Sequence, residues 1–139
     1  MPRIVALDVG EKTIGVAASD ELMIAAHPVR TIRRTRGVKA DLREVEGLLD
    51  EIEASIVVIG MPLTVEGDMG PQAEKVKDFR DRLARRLRIP VETIDESYST
   101  ADAQDRLLEA DVSRAKRRRV IDQAAAVVIL EDYLRQQKP

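Results

Sequence analysis

Three acidic positions carry the chemistry this chain can offer. Asp8 stands at the end of the short apolar run Arg3–Leu7, inside the segment Asp8-Val9-Gly10-Glu11-Lys12-Thr13-Ile14-Gly15-Val16. An aspartate at the carboxyl end of a buried strand faces the crevice where α/β sheets bind ligands. A carboxylate there suits a hard divalent cation. Gly10 and Gly15 would let a phosphate backbone come close, since neither carries a Cβ. The simpler role for Asp8 is to close a hairpin turn. Asp95 and Glu96 follow a second strand-like run, Ile89–Ile94; alone, they read more simply as a solvated loop before a helix. Asp122 opens the apolar stretch Ala124–Leu130, and alone it divides evenly between complementing a helix dipole and catalysis. The conjunction outweighs each member.

What the chain lacks narrows the alternatives. There is no Cys and one His in 139 residues. Thiolate zinc sites, iron–sulfur clusters and a Cys nucleophile are excluded, and a Ser–His–Asp triad has almost no material. His27 reads as an ordinary loop or strand-entry residue. Ser99 and Thr100 read as helix caps, since no base accompanies them. Aromatic residues make up 2% of the chain, namely Phe79, Tyr98 and Tyr133. A base-stacking platform for single-stranded nucleic acid has three rings at most to draw on.

Cations are present but gathered. The 23 basic and 25 acidic residues nearly cancel, to a net charge of −2. Within that balance Arg30, Arg33, Arg34 and Arg36 form one cluster, and Arg114, Lys116, Arg117, Arg118 and Arg119 a denser one. Each phosphate such groups neutralise adds salt-dependent affinity. The plainer reading of the second cluster is a solvated helix start, although positive charge there opposes the dipole. Lys12, in the turn beside Asp8, is a further phosphate contact. No apolar run approaches the ~20 residues that span a bilayer, and no signal-peptide profile opens the chain; a cytoplasmic protein with no membrane partner is expected.

The elements that must hold these residues follow from periodicity. Arg3–Leu7 and Thr13–Ala18 read as a hairpin, with Gly15 marking a bulge or a close backbone approach, and Pro28–Arg33 as a third strand. Val38, Leu42, Val45, Leu48, Leu49 and Ile52 recur at helical spacing. Ile56–Ile59 is a strand buried on both faces. After the loop around Pro62, Gly67 and Gly70, Pro71 suits the first turn of a helix that runs to about Arg88, with Ala73, Val76, Phe79, Leu83 and Leu87 inward. Ile89–Ile94 is the fifth strand. A helix capped by Ser99 reaches about Ala110, a basic linker follows, and Val120–Gln137 is the last helix. The order β-β-β-α-β-α-β-α-α predicts an α/β fold occupying residues 1–139 as a single domain. Its first three strands form an antiparallel meander, and the later ones return through helices in parallel. Sheet order 3-2-1-4-5, with helices on both faces, puts the first strand at the centre. That is the ribonuclease H-like plan.

Four segments in this order resemble one family. They are Asp8–Ala17; Val58-Ile59-Gly60-Met61-Pro62-Leu63 with Gly67; Asp95-Glu96-Ser97-Tyr98-Ser99-Thr100; and Asp122–Leu130. The chain is similar over essentially its whole length to the YqgF family, also called RuvX. Its members are ribonuclease H-like proteins described as candidate Holliday junction resolvases and implicated in maturing the 5′ end of pre-16S ribosomal RNA. The resemblance implies that Asp8, Glu96 and Asp122 form an acidic triad. Three carboxylates fit two Mg²⁺ or Mn²⁺ ions about 4 Å apart, and hard oxygen ligands favour these cations over zinc. The implied reaction is phosphodiester hydrolysis leaving 5′-phosphate and 3′-hydroxyl ends. Glu96 is preferred to Asp95 because a fifth strand two places from Asp8 is about 9–10 Å away, and the longer side chain reaches inward from there where the shorter does not. One departure is that Ser97 and Tyr98 stand where the family carries Arg then Leu, leaving Arg106 or the basic cluster to supply that cation.

The expected function is therefore a divalent-metal-dependent nuclease acting on ribosomal RNA precursor, with DNA also open, as a monomer or a homodimer. Two rivals remain at this level. An ATP-binding protein of the actin and sugar-kinase type shares the Asp-x-Gly hairpin, but usually needs two such domains to enclose the nucleotide. A non-catalytic RNA-binding assembly factor would keep the fold and the basic patches alone.

Overall fold

A computed structural model describes residues 3–20, 22–34, 37–63, 67–96 and 114–137, with side chains in the last segment described from Gln123 onward. The strands are β1 (Arg3–Val9), β2 (Thr13–Ser19), β3 (Ala26–Arg33), β4 (Ala54–Met61) and β5 (Val91–Asp95). The helices are α1 (Val38–Ile52), α2 (Pro71–Arg86) and α3 (Arg114–Gln136). The five strands form one sheet in the order β3-β2-β1-β4-β5. β1–β2 and β2–β3 pair antiparallel, while β1–β4 and β4–β5 pair parallel. This is the expected topology, with β1 at the centre. The β2–β3 register shifts between Val16 and Ala17, one residue from the glycine that signalled an irregularity.

Strand alternation sends each face of the sheet to a different partner. On one face Val5, Leu7, Ile14, Val16, Val57 and Ile59 pack under α1 and α2. Helix α1 buries Leu42, Val45, Leu48 and Leu49, and α2 buries Ala73, Val76, Phe79 and Leu83, matching the spacing read from the sequence. Each of the Val, Leu and Phe side chains among them contributes about 1.5–3 kcal/mol when fully buried. A two-point bond from Arg86 to Glu46, at 2.9 and 3.1 Å, ties the two helices together. On the opposite face Ile4, Ala6, Ala17, Val58 and Ile94 pack under Ala126, Ile129, Leu130, Tyr133 and Leu134 of α3.

Most element ends fall within two residues of the sequence reading, and two differences have a clear physical cause. The fifth strand begins at Val91, past Pro90, which has no N–H for the ladder. More consequential, Arg114–Arg119 is no linker: α3 begins at Arg114, six residues before the expected start at Val120. Arg and Lys are good helix formers and no Gly or Pro interrupts the run, so propensity outweighs the unfavourable dipole. The helix expected from Ser99 to about Ala110 lies outside the described residues, as do Ser97, Tyr98 and Arg106.

Candidate active site

Strands β1, β4 and β5 are mutually parallel, so their carboxyl ends share one edge of the sheet. Asp8 continues the β1 row that runs through Ile4 and Ala6, both against α3, and so emerges on the α3 face. Glu96 lies just past β5, yet its N–H donates to the Met61 carbonyl at 2.9 Å. That bond extends the β4–β5 ladder by one rung, and Glu96 continues the row of Ile94 on the same α3 face. Asp8 and Glu96 are both partly buried.

Between them on β4 stands Gly60, paired with Ile94. A Cβ built on Gly60 would lie 2.5 Å from Ile129 Cδ1, 2.9 Å from Ile129 Cγ1 and 3.6 Å from Glu96 Cγ. The place a side chain would fill is thus shared by the α3 side chain and the stem of Glu96. This is how a residue on the edge strand reaches toward the centre: the intervening strand offers no obstacle. On the other flank of Asp8 its direct β2 partner is Gly15, so Asp8 has a glycine toward either neighbouring strand. The sequence marked Gly60 only as a strand end; a glycine at the end of a run of β-branched residues was the available signal.

Asp95 is exposed and, one residue out of phase, belongs to the row of Val91, which packs on the α1–α2 side. Side-chain length was the sequence argument for Glu96 over Asp95. The pleat supplies a stronger one, because the two acids leave the sheet on opposite faces.

Helix α3 runs antiparallel to these strands. Ile129 is level with Gly60, while Tyr133 Oη, farther along, donates a hydrogen bond to Glu92 Oε2 nearer the start of β5. Position 122 is one turn before the fully buried Ala126 and about 10 Å before Ile129 along the axis. The backbone therefore carries Asp122 toward the carboxyl edge; its side chain lies outside the described residues. Among the described residues no three Asp, Glu or His side chains form a metal-holding group; Asp8 and Glu96 are the two members of the expected triad brought to one face.

The cations divide. Arg33 is exposed, pairs with Thr13 and alternates with the core residue Ile32, which sends it to the α3 face at the same edge as Asp8. Lys12 is exposed in the β1–β2 turn. Arg34 is on the other side: its Nε donates to Asp41 Oδ2 at 2.8 Å, its Nη1 donates to the Gly10 carbonyl, and its guanidinium sits 5.4 Å from the Phe79 ring centre. With a side chain 18% exposed, Arg34 is committed within the protein and is not placed for the phosphate contact expected of it. Gly10 also has an internal reason to be glycine, since a Cβ there would lie 3.1 Å from the Thr13 carbonyl oxygen. Arg114, Lys116, Arg117, Arg118 and Arg119 occupy the first two turns of α3, with side chains outside the described set.

Comparison with known proteins identifies the family and the fold. The model of the RuvX family, described as Holliday junction resolvase, matches residues 2–136. A Myxococcus xanthus protein named "Putative pre-16S rRNA nuclease" is 49% identical over 137 residues, covering 99% of this chain and 90% of its own length. A protein of the same name from Symbiobacterium thermophilum is 50% identical, covering 95% and 91%. Among solved structures, T. thermophilus RuvC in complex with a Holliday junction substrate shares the fold at a TM-score of 0.62 and 15% identity, over 97% of this chain and 95% of that one. With its sheet order, its strand-end carboxylates and a match over nearly its full length, the chain belongs to the RuvX family.

Proposed function

We propose that this protein is a divalent-metal-dependent nuclease whose substrate is the ribosomal RNA precursor, acting at the 5′ end of pre-16S RNA. The observation that supports this reading is that Asp8 and Glu96 leave the sheet on the same face, on strands either side of Gly60, in a member of the RuvX family. The residues fit the group implied. The donors are hard carboxylate oxygens, and Gly15 and Gly60 leave the flanks of Asp8 without a side chain. Asp8, Glu96 and Asp122 would hold Mg²⁺ or Mn²⁺. Bound there, such ions make a water nucleophilic at neutral pH and neutralise charge on the leaving oxygen. The chain's own contribution is to hold its carboxylates at a fixed place and to line the edge with cations. Arg33, Lys12 and the Arg114–Arg119 turns would take the phosphate backbone on either side of the acids. With few aromatic rings, recognition rests on backbone and shape.

One set of acids per chain suits end trimming by a monomer. Cutting two strands of a junction would require two copies. That second reading has the family description behind it. No described helix is long and apolar enough to cross a membrane, and the proposed place of action is the cytoplasm, as one domain spanning residues 1–139.

The test uses purified protein with labelled pre-16S RNA fragments and a four-way DNA junction, with Mg²⁺ or Mn²⁺, against Asp8→Asn and Asp122→Asn. Each variant is expected to lose on the order of 10³-fold in cleavage, the scale of removing a preorganised charge at a reacting centre. Cleavage by both variants equal to the parent's would reject the assignment. Cutting of the junction alone would move the substrate to DNA.

A further inference from the structure

Arg34 gathers three elements at one guanidinium. It follows β3 directly, and its backbone N–H donates to the Lys12 carbonyl at 2.8 Å. Its Nη1 donates to the Gly10 carbonyl, so both ends of the Gly10-Glu11-Lys12 turn are bonded to the same residue. Its Nε reaches Asp41 on α1 at 2.8 Å, where the carboxylate side chain is only 5% exposed. Phe79 of α2 supplies the aromatic face beneath. The other charged pair touching the turn, Lys75 with Glu11, has both side chains about two-thirds exposed at 67% and 66%, and such a pair holds little.

A desolvated ion pair is a weak source of stability, because removing both charges from water offsets their attraction. What this pair does supply is direction. Arg–carboxylate geometry is fixed by the planar guanidinium, and Asp41 is fixed in turn by the buried face of α1. The restrained turn begins two residues after Asp8. A cleft of about 680 Å³ lies on this side, lined by Gly10, Arg34, Gly37, Asp41, Lys75 and Phe79 among others, so without the guanidinium the turn would have open space to move into.

We propose that Arg34 and Asp41 are positioning residues for Asp8. From the opposite face of the sheet they hold the β1–β2 turn, and through it they set where the Asp8 carboxylate meets Glu96. The inference rests on the reading of Asp8 as a metal-holding residue. A misplacement of about 1 Å at a reacting group can cost ~10²-fold in rate, so a loosened turn is expected to act on kcat.

The experiment compares Arg34→Met, Arg34→Lys, Asp41→Asn, Arg33→Met, Val45→Ala and Asp8→Asn in steady-state cleavage of labelled RNA, Mn²⁺ titration by calorimetry, and urea unfolding. Val45 is buried in the core on the sheet-facing side of α1 and does not line the cleft beside the turn, so Val45→Ala serves as the stability control. Arg34→Met and Asp41→Asn are expected to lower kcat about 10- to 100-fold and to weaken Mn²⁺ binding, with KM for RNA within twofold. Arg34→Lys, which keeps the charge opposite Asp41, should recover part of the loss. Arg33→Met should do the reverse, raising KM and flattening the salt dependence while kcat holds. Losses that follow urea stability as they do in Val45→Ala, or an Arg34→Met effect on KM with kcat intact, would overturn the proposal. A damaging Asp8→Asn beside a silent Arg34→Met rejects this inference alone. A silent Asp8→Asn rejects the reading beneath it as well.

Discussion

The carboxyl edge of the sheet has two faces built on opposite plans. On the α3 face charges are left partly open: Asp8 and Glu96 are partly buried, Arg33 is exposed, and glycines stand where neighbouring side chains would be. On the α1–α2 face one charged pair is closed off: Arg34 and Asp41 are bonded to each other, and Arg34 also to the turn and against an aromatic ring. Arg33 and Arg34 are adjacent in the chain, yet they fall on opposite sides of this division. Charged groups aimed at a ligand must stay solvated until it arrives, since a buried unpaired charge is costly. Charged groups that hold a scaffold must be paired from the start. The difference between the faces is therefore one between charges left partly exposed at the edge and a charged pair closed into the packing of turn, helix and ring.

The largest test of that division is within one dipeptide. Glu96→Gln should cost at least ~10²-fold in cleavage, whereas Asp95→Asn, on the other face, should stay within twofold; equal losses would mean the pleat does not separate them. Next is Gly60→Ala. The new Cβ must displace Ile129 and crowd the Glu96 stem, an overpacking that costs typically 1–3 kcal/mol, read by urea denaturation. Activity should fall further than that stability loss accounts for. If activity survives once folding is secured by a lower temperature, Glu96 does not need the gap.

The smallest effect concerns the anchor that seats α3. Tyr133 donates its hydroxyl proton to Glu92. Burial first, and then the bond and charge of Glu92, raise its phenol from 10.0 to about 12. The fold thus favours the neutral phenol. That stabilisation is complete below the unfolded value near 10 and is lost as pH rises through about 12. Tyr133→Phe should cost about 1 kcal/mol at pH 8, and the gap between the two proteins should shrink from pH 10 toward pH 12. A constant gap across that range would remove the hydrogen bond as its cause.

Much of this was legible before any coordinates. The buried stripes of α1 and α2 follow the spacing of Val38 to Ile52 and Ala73 to Leu83, because a helix that covers a sheet must repeat its apolar residues each turn. Asp8 was placed at a strand end by the apolar run before it. What did not show was Asp41, a charged residue buried beside Leu42 in the first turn of α1. Its partner is seven positions earlier in the chain but on another element, and nothing local encodes that meeting. The start of α3 was misplaced because dipole and propensity oppose each other within Arg114–Arg119, and the sequence does not say which prevails.

The sequence by itself determined the order of elements, the sheet plan and the acids at strand ends, since periodicity and turn chemistry are local. Only the tertiary structure decided which of those charged residues share a face. The strand register put Glu96 beside Asp8 across Gly60 and sent Asp95 away, and the packing of α1 and α2 drew Arg34 out of the cationic cluster beside it. Such choices depend on one-residue phase along a strand and on contacts between distant segments, neither of which a composition or a local spacing can fix.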